Sequence, residues 1–235
     1  TIQSALFTLL AVYATSMNFT ILEISIVTFL LAVSGAIAQF PIGKISDMYD
    51  RRKVIVFSTF GAAMFSIFAI LVSRQMYLPG SLATSKTWFY IFFILFSFCS
   101  LPMFSLILAH TNDYISKDKF VAAGAGLQFA FGLGAMSGPF LCSIFMDLVG
   151  SNGFFVFLFF FHCIIGFFGI YRMKVRQSVD NPDSQFVAMP QTITPAGIEL
   201  NPTTEHIEEP YSDKVKEILE RKGVKYKKEE DEMKT

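Results

Sequence analysis

Apolar and polar positions along this chain sort into long blocks. Apolar windows cover residues 3–16, 22–42, 54–73, 88–110, 120–149 and 153–171, and shorter polar or charged stretches separate them. A helix crossing the hydrocarbon of a bilayer needs about 20 mostly apolar residues, so the windows predict six membrane helices. The first is short, as expected of a helix cut by the start of the chain, and the fifth is long enough to tilt or to extend beyond the hydrocarbon. None alternates with period two, which argues against a transmembrane barrel.

Composition supports the same class. Of 235 residues, 53% are apolar, with 28 Phe against one Trp, outside the usual range of a soluble domain. The Phe excess reads as bulk turned toward lipid. The formal net charge of zero hides a split: charge is scarce up to Arg172 and dense after it. This divides the chain into a membrane bundle, residues 1–172, and a polar cytoplasmic tail, residues 173–235. The late basic residues are mixed with Asp and Glu, so nothing suggests nucleic acid. Cys99, Cys142 and Cys163 each sit in an apolar run without CxxC spacing and read as small fillers, which argues against a disulfide framework and a zinc site. No metal or other cofactor is expected. The chain opens on Thr1 without a basic segment and cleavage site, so it does not begin as a signal peptide; its opening predicts a longer protein in which Thr1 lies within a membrane helix.

Lys and Arg in short loops set orientation. Lys44, Arg51, Arg52 and Lys53 follow the second window, Lys117 and Lys119 the fourth, and Arg172, Lys174 and Arg176 the sixth. Six crossings put these three loops on one face, while the opposite face carries Arg74 and Lys86. The basic face is expected in the cytoplasm, with the C-terminus, in a bacterial inner membrane.

Orientation alone does not account for the order of residues in "GKISDMYDRRKVI". Gly43, Ile45, Ser46, Asp47, Asp50, Arg51 and Arg52 fit G-x-[LI]-[AS]-D-x-x-[GD]-R-[RK], which resembles the signature loop between the second and third helices of a half in the major facilitator superfamily. Gly43 permits close helix approach. Asp47 can meet the positive N-terminus of a neighbouring helix, and Arg51 and Arg52 can pair with it or with helix-end carbonyls. The resemblance implies a latch that opens as the halves of a transporter rock. Where the pattern has Arg after Asp47, this chain has Met48; the bland alternative is a solvated positive-inside loop. In the fifth window, Gly134, Gly138 and Pro139 in "GAMSGP" resemble the superfamily's G-x-x-x-G-P motif, readable as a flexing bend or as a tight packing interface.

A closer resemblance covers most of the membrane part. "AQFPIGKISDMYDRRKVI", "LPMFSLILAHTNDYISKDKFVAAGAGL" and "GLGAMSGPF" are similar to the C-terminal half of the YcaD-like branch, and "SQFVAMPQTITPAGIELNP" resembles the short Phe- and Pro-containing ending of its members. This implies an all-α membrane fold in which the six helices are the seventh to twelfth of a twelve-helix transporter, partnered by a missing N-terminal half of the same chain, by lipid and by a small-molecule substrate. Later in the tail, Ser212 is placed to cap a helix with Val215, Ile218 and Leu219 on one face and Gly223 at its end.

In the superfamily the first and fourth helices of a half line the central cavity. That nominates Tyr13 and Thr15 on one, and Tyr90, Ser97, Ser100 and Ser105 on the other, where Pro102 can introduce a kink. No carboxylate falls mid-window, although such an acid is the usual proton-coupling group. Glu23 and Asp147 lie near window ends and read as outer-face residues. His110, Asn112 and Asp113 form a polar cluster at the end of the fourth window, with His110 open to a gating or proton-coupling role or to a simple interfacial one. His162, inside the most aromatic window, should face protein and make a structural hydrogen bond, and Gln39 and Gln128 read as interhelical bonders. No P-loop, GxSxG or HExxH occurs, which speaks against an enzyme and an ATP-driven pump. The expectation is a secondary transporter working by alternating access, with proton coupling as its default; the alternatives are a non-transporting membrane sensor or scaffold, and a six-helix unit working as a dimer.

Overall fold

The computed structural model describes residues 1–76, 82–115, 119–175, 186 and 188, and among these every regular element is an α-helix. In chain order they are α1 (Ile2–Ser16), α2 (Ile21–Met48), α3 (Arg51–Gln75), α4 (Leu82–Ser100), α5 (Met103–Asn112), α6 (Phe120–Val149) and α7 (Gly153–Val175). Among the described residues, five stretches are long and apolar enough to cross a membrane: α2, α3, α7, Ala122–Val149 of α6, and Thr84–Asn112, which joins α4 to α5; α1 is a shorter apolar helix. The expected helix from Ser212, with Lys117 and Arg176, lies outside the described residues.

Several helix boundaries differ from the apolar windows, because hydropathy marks the hydrocarbon whereas caps mark the ends of helices. Thr20 and Glu23 form a capping box at the start of α2: the Thr20 N–H donates to Glu23 Oε2 at 2.7 Å and the Glu23 N–H to Thr20 Oγ1 at 3.3 Å. The helix then runs through Pro41 to Met48. Asp50 caps α3, its Oδ1 accepting the Arg52 N–H at 3.0 Å. The charged loop therefore reduces to Tyr49 and Asp50, and Arg51, Arg52 and Lys53 occupy the first turn of α3. Cations there oppose the helix dipole and need carboxylates beside them.

The fourth crossing is broken. Leu101 and Pro102 form a turn between α4 and α5, since Pro102 has no N–H to continue the ladder. Carbonyls near such a break need donors inside a membrane. The Gln3 side-chain amide donates to the carbonyls of Leu101 at 3.2 Å and Ser100 at 3.4 Å.

α3 packs between α4 and α7, α1 lies on α6, and α2 lies on α4. One end of the bundle carries the Lys86–Glu23 ion pair at 2.6 Å and the Ser73–Asn152 hydrogen bond at 2.6 Å; the other carries Arg51 and Asp113. The Phe excess is not only lipid-facing bulk. Phe89, Phe93, Phe96, Phe154, Phe155 and Phe157 are fully buried, and Phe89 stacks on Phe93 with centroids 5.7 Å apart. Rings fill the interior because offset and edge-on contacts pack large apolar area at fixed geometry. α2 and α6 are the membrane-length helices least covered by the rest, and they expose Phe29, Phe40, Phe129, Met136 and Phe140.

Candidate functional site

The two-residue turn between α2 and α3 is where the basic first turn of α3 meets its carboxylates. Arg51 Nη2 lies 2.9 Å from Asp47 Oδ1, in the last turn of α2, and Nη1 lies 3.0 Å from Asp113 Oδ1, just past the end of α5. The Arg51 and Asp113 side chains are 7% and 11% exposed, against 34% for Asp47. Burying a guanidinium is costly unless anions take up its donors, and this pairing ties α2, α3 and α5 together at one end of the bundle. Arg52 pairs with Asp50, Nη2 to Oδ2 at 2.7 Å and Nε to Oδ1 at 3.0 Å. Asp50 thus holds both the backbone and the side chain of Arg52. Gly43, a turn before Asp47, lies against the ring of Phe186.

Beside this network, His110 lines a cavity of about 220 Å³ with Arg52, Thr111, Tyr114, Ile115 and Arg172. Its ring meets Tyr114 edge-on, centroids 5.0 Å apart. Asn112 is buried, and its Oδ1 has no hydrogen-bond partner among the described residues. Asp113, which sequence placed beside His110, is engaged by Arg51. Of the polar cluster His110, Asn112 and Asp113, one member thus joins the Arg51 network and one faces the adjoining cavity.

Deeper in the bundle, Ser100 and Tyr13 separate. Ser100 lies 3.0 Å from His162 Nε2, and both line a cavity of about 210 Å³ with Gln3, Met103, Phe104 and Phe131 among others. Tyr13 is fully buried in the aromatic core, 5.1 Å from the rings of both Phe154 and Phe155. Tyr90 sits toward the other end, edge-on to Phe19 at 6.2 Å. Thr15 spends its hydroxyl on the Ala11 carbonyl at 2.8 Å. Ser97 donates to the Leu31 carbonyl and accepts from Ser34, both at 2.8 Å. Ser34 and Gln3 were not singled out by sequence; the signal that could have found them is a polar residue inside an apolar window.

Gly134 and Gly138 face the start of α1. A Cβ on Gly138 would run into the Thr1 carbonyl and the Ser4 hydroxyl, and Ser4 Oγ donates to the Gly134 carbonyl at 3.2 Å. α6 continues through Pro139 without interruption. Among the described residues, no group of three or more His, Cys, Asp or Glu is placed to hold a metal ion.

The sequence pattern of the Major Facilitator Superfamily matches residues 1–216. An uncharacterized MFS-type transporter of Yersinia enterocolitica is 28% identical over 160 residues, which is 68% of this chain and 37% of that protein. Counterparts in Yersinia pestis and Yersinia pseudotuberculosis are 25% identical over 160 residues, with the same shares. The matched stretch thus spans 37% of the length of these curated relatives. No solved structure matches.

Proposed function

The chain belongs to the Major Facilitator Superfamily, and from that premise we propose that it forms the C-terminal half, helices seven to twelve, of a non-enzymatic secondary transporter of the YcaD-like branch. The transporter carries a small molecule across a bacterial inner membrane by alternating access, with the substrate near the bilayer midplane between this half and an N-terminal one. Residues 1–172 supply the bundle and residues 173–235 a cytoplasmic tail.

The observation that carries this reading is Arg51, held between Asp47 and Asp113 at one end of the bundle. Three helices meet there through charge, next to the apolar cluster of Ala38, Ile42, Val54, Ile55, Met103 and Leu106, so a rearrangement at that end exchanges ion pairs. The sparse coverage of α2 and α6 supports a second body packed on those faces. The Arg-rich end belongs in the cytoplasm by the positive-inside rule. Proton coupling is assigned to His110, which faces a cavity shared with Arg52 and Arg172.

The test uses the full-length protein in membrane vesicles and a panel of labelled metabolites and drugs. Uptake or efflux of at least one compound above empty vesicles is expected. Asp47→Asn should then lower transport while membrane abundance stays the same; unaltered transport rejects the latch. Reporter fusions should place residues 50–53 in the cytoplasm, and an external location would overturn the orientation.

A further inference from the structure

Phe186 comes back to the bundle from 139 positions beyond Asp47. Its backbone N–H donates to Asp47 Oδ1 at 2.8 Å, the same oxygen that takes Arg51 Nη2 at 2.9 Å. Its ring lies on the bare face of Gly43, where a Cβ would run into the ring edge, and joins the apolar cluster of Ala38, Ile42, Val54, Ile55, Met103 and Leu106. With Ala188 it borders a groove of about 410 Å³ whose other walls include Gln39, Phe40, Gly43, Lys44 and Asp47.

This contact falls on a weak turn of α2. Pro41 lies inside the helix and has no N–H, so the Ile37 carbonyl loses its helical donor and the ladder is interrupted six residues before Asp47. Beyond that point, the end of α2 keeps its direction through what packs on it. Only a residue without a side chain at position 43 leaves room for the ring, and only an acceptor at position 47 answers the Phe186 N–H. One ring and one hydrogen bond against a partly exposed carboxylate make a contact that can be undone, unlike the interfaces between whole helices.

We infer that the flank of α2 from Gln39 to Asp47 is a docking groove for Phe186 and Ala188 of this same chain, and that these docked residues act as a strap bracing the end of α2 beyond Pro41. Seated, it presents Asp47 to Arg51; withdrawn, it frees both the Gly43 face and one of the two donors on Asp47 Oδ1. As a regulatory device it rests on the transport reading, since the end it braces carries the ion pairs that would exchange as the halves rock. Any partner or modification that draws the tail away from this groove would loosen that end.

The test uses full-length protein in lipid nanodiscs, with Cys99, Cys142 and Cys163 replaced by Ala. A Cβ at position 43 would lie 3.0 Å from Phe186 Cγ, which puts the two Cβ atoms within disulfide reach. Gly43→Cys with Phe186→Cys should therefore link under mild oxidation, whereas Ser151→Cys with Phe186→Cys, at opposite ends of the bundle, should not. Amide hydrogen exchange of residues 42–48 should quicken roughly threefold or more in Phe186→Ala, slow in the oxidised pair and return on reduction, while exchange in α7 stays unchanged. Phe186→Leu should fall between wild type and Phe186→Ala. Failure to link, or exchange of residues 42–48 that is indifferent to Phe186, overturns the strap. The vesicle panel reports separately: a strap that docks in a protein carrying no compound sinks the transport reading alone.

Discussion

Ser100 and His162 meet at the centre of the bundle, hydroxyl to Nε2 at 3.0 Å, while His162 Nδ1 lies 2.7 Å from the Leu158 carbonyl. A carbonyl only accepts, so Nδ1 carries the proton, and in the neutral ring Nε2 is left to accept from the Ser100 hydroxyl. The pair fixes both tautomer and ring orientation without any charge. Ser100→Ala should cost about 1–3 kcal/mol, because it strands a buried acceptor, and thermal unfolding of the full-length protein in detergent checks it. Removing both partners with Ser100→Ala and His162→Phe should cost less than the sum of the single changes.

Arg51 gives the largest expected loss. Arg51→Met removes both ion pairs and leaves Asp113, 11% exposed, with its charge unmatched by that guanidinium. A cost of about 3 kcal/mol follows, at the low end for a broken buried pair because Asp47 is partly solvated. Arg52→Met, whose partner Asp50 is also the α3 cap, should cost less. The comparison is read from the melting temperatures of the two variants.

Glycine positions on α6 should divide by facing. Gly138→Val drives a side chain into the Thr1 carbonyl and Ser4 and should push α1 off α6, lowering the yield of monodisperse protein. Gly126→Val, where a Cβ meets nothing within 4 Å, should leave the yield unchanged. Size-exclusion profiles of fluorescent fusions distinguish the two.

His110→Ala should flatten the pH dependence of uptake by the full-length transporter if the proton passes through this ring. The cavity it shares with Arg52 and Arg172 stays formed in the variant, so binding should change less than the pH profile. An unchanged profile removes His110 from coupling.

The membrane crossings were legible because lipid imposes a length of apolar chain that little else requires. Helix ends were less so: α2 passes Pro41 and carries Lys44 and Asp47 beyond its apolar window, and capping by Asp50 draws Arg51 into α3. The loop motif offered Asp47 to both Arg51 and Arg52 as a carboxylate close by in the chain. It could not offer Asp113, which lies 62 positions away and is brought in only by the packing of α5 on α3. Nor could it divide the two arginines between Asp47 and Asp50, a choice made by side-chain reach within a two-residue turn. Gln3 went unnoticed for a similar reason: its value depends on carbonyls that exist as free acceptors only once Pro102 has broken the neighbouring helix.

That break makes the fourth crossing a jointed rod. α5, which leads to Asp113, is joined to α4, which carries Lys86 against Glu23 at the far end, by the turn at Leu101 and Pro102 and not by a continuous ladder. α3 has no such joint between Arg51 and Gln75, so it alone of the two reaches from the ion pairs at one end to the Ser73–Asn152 contact at the other as one unbroken rod.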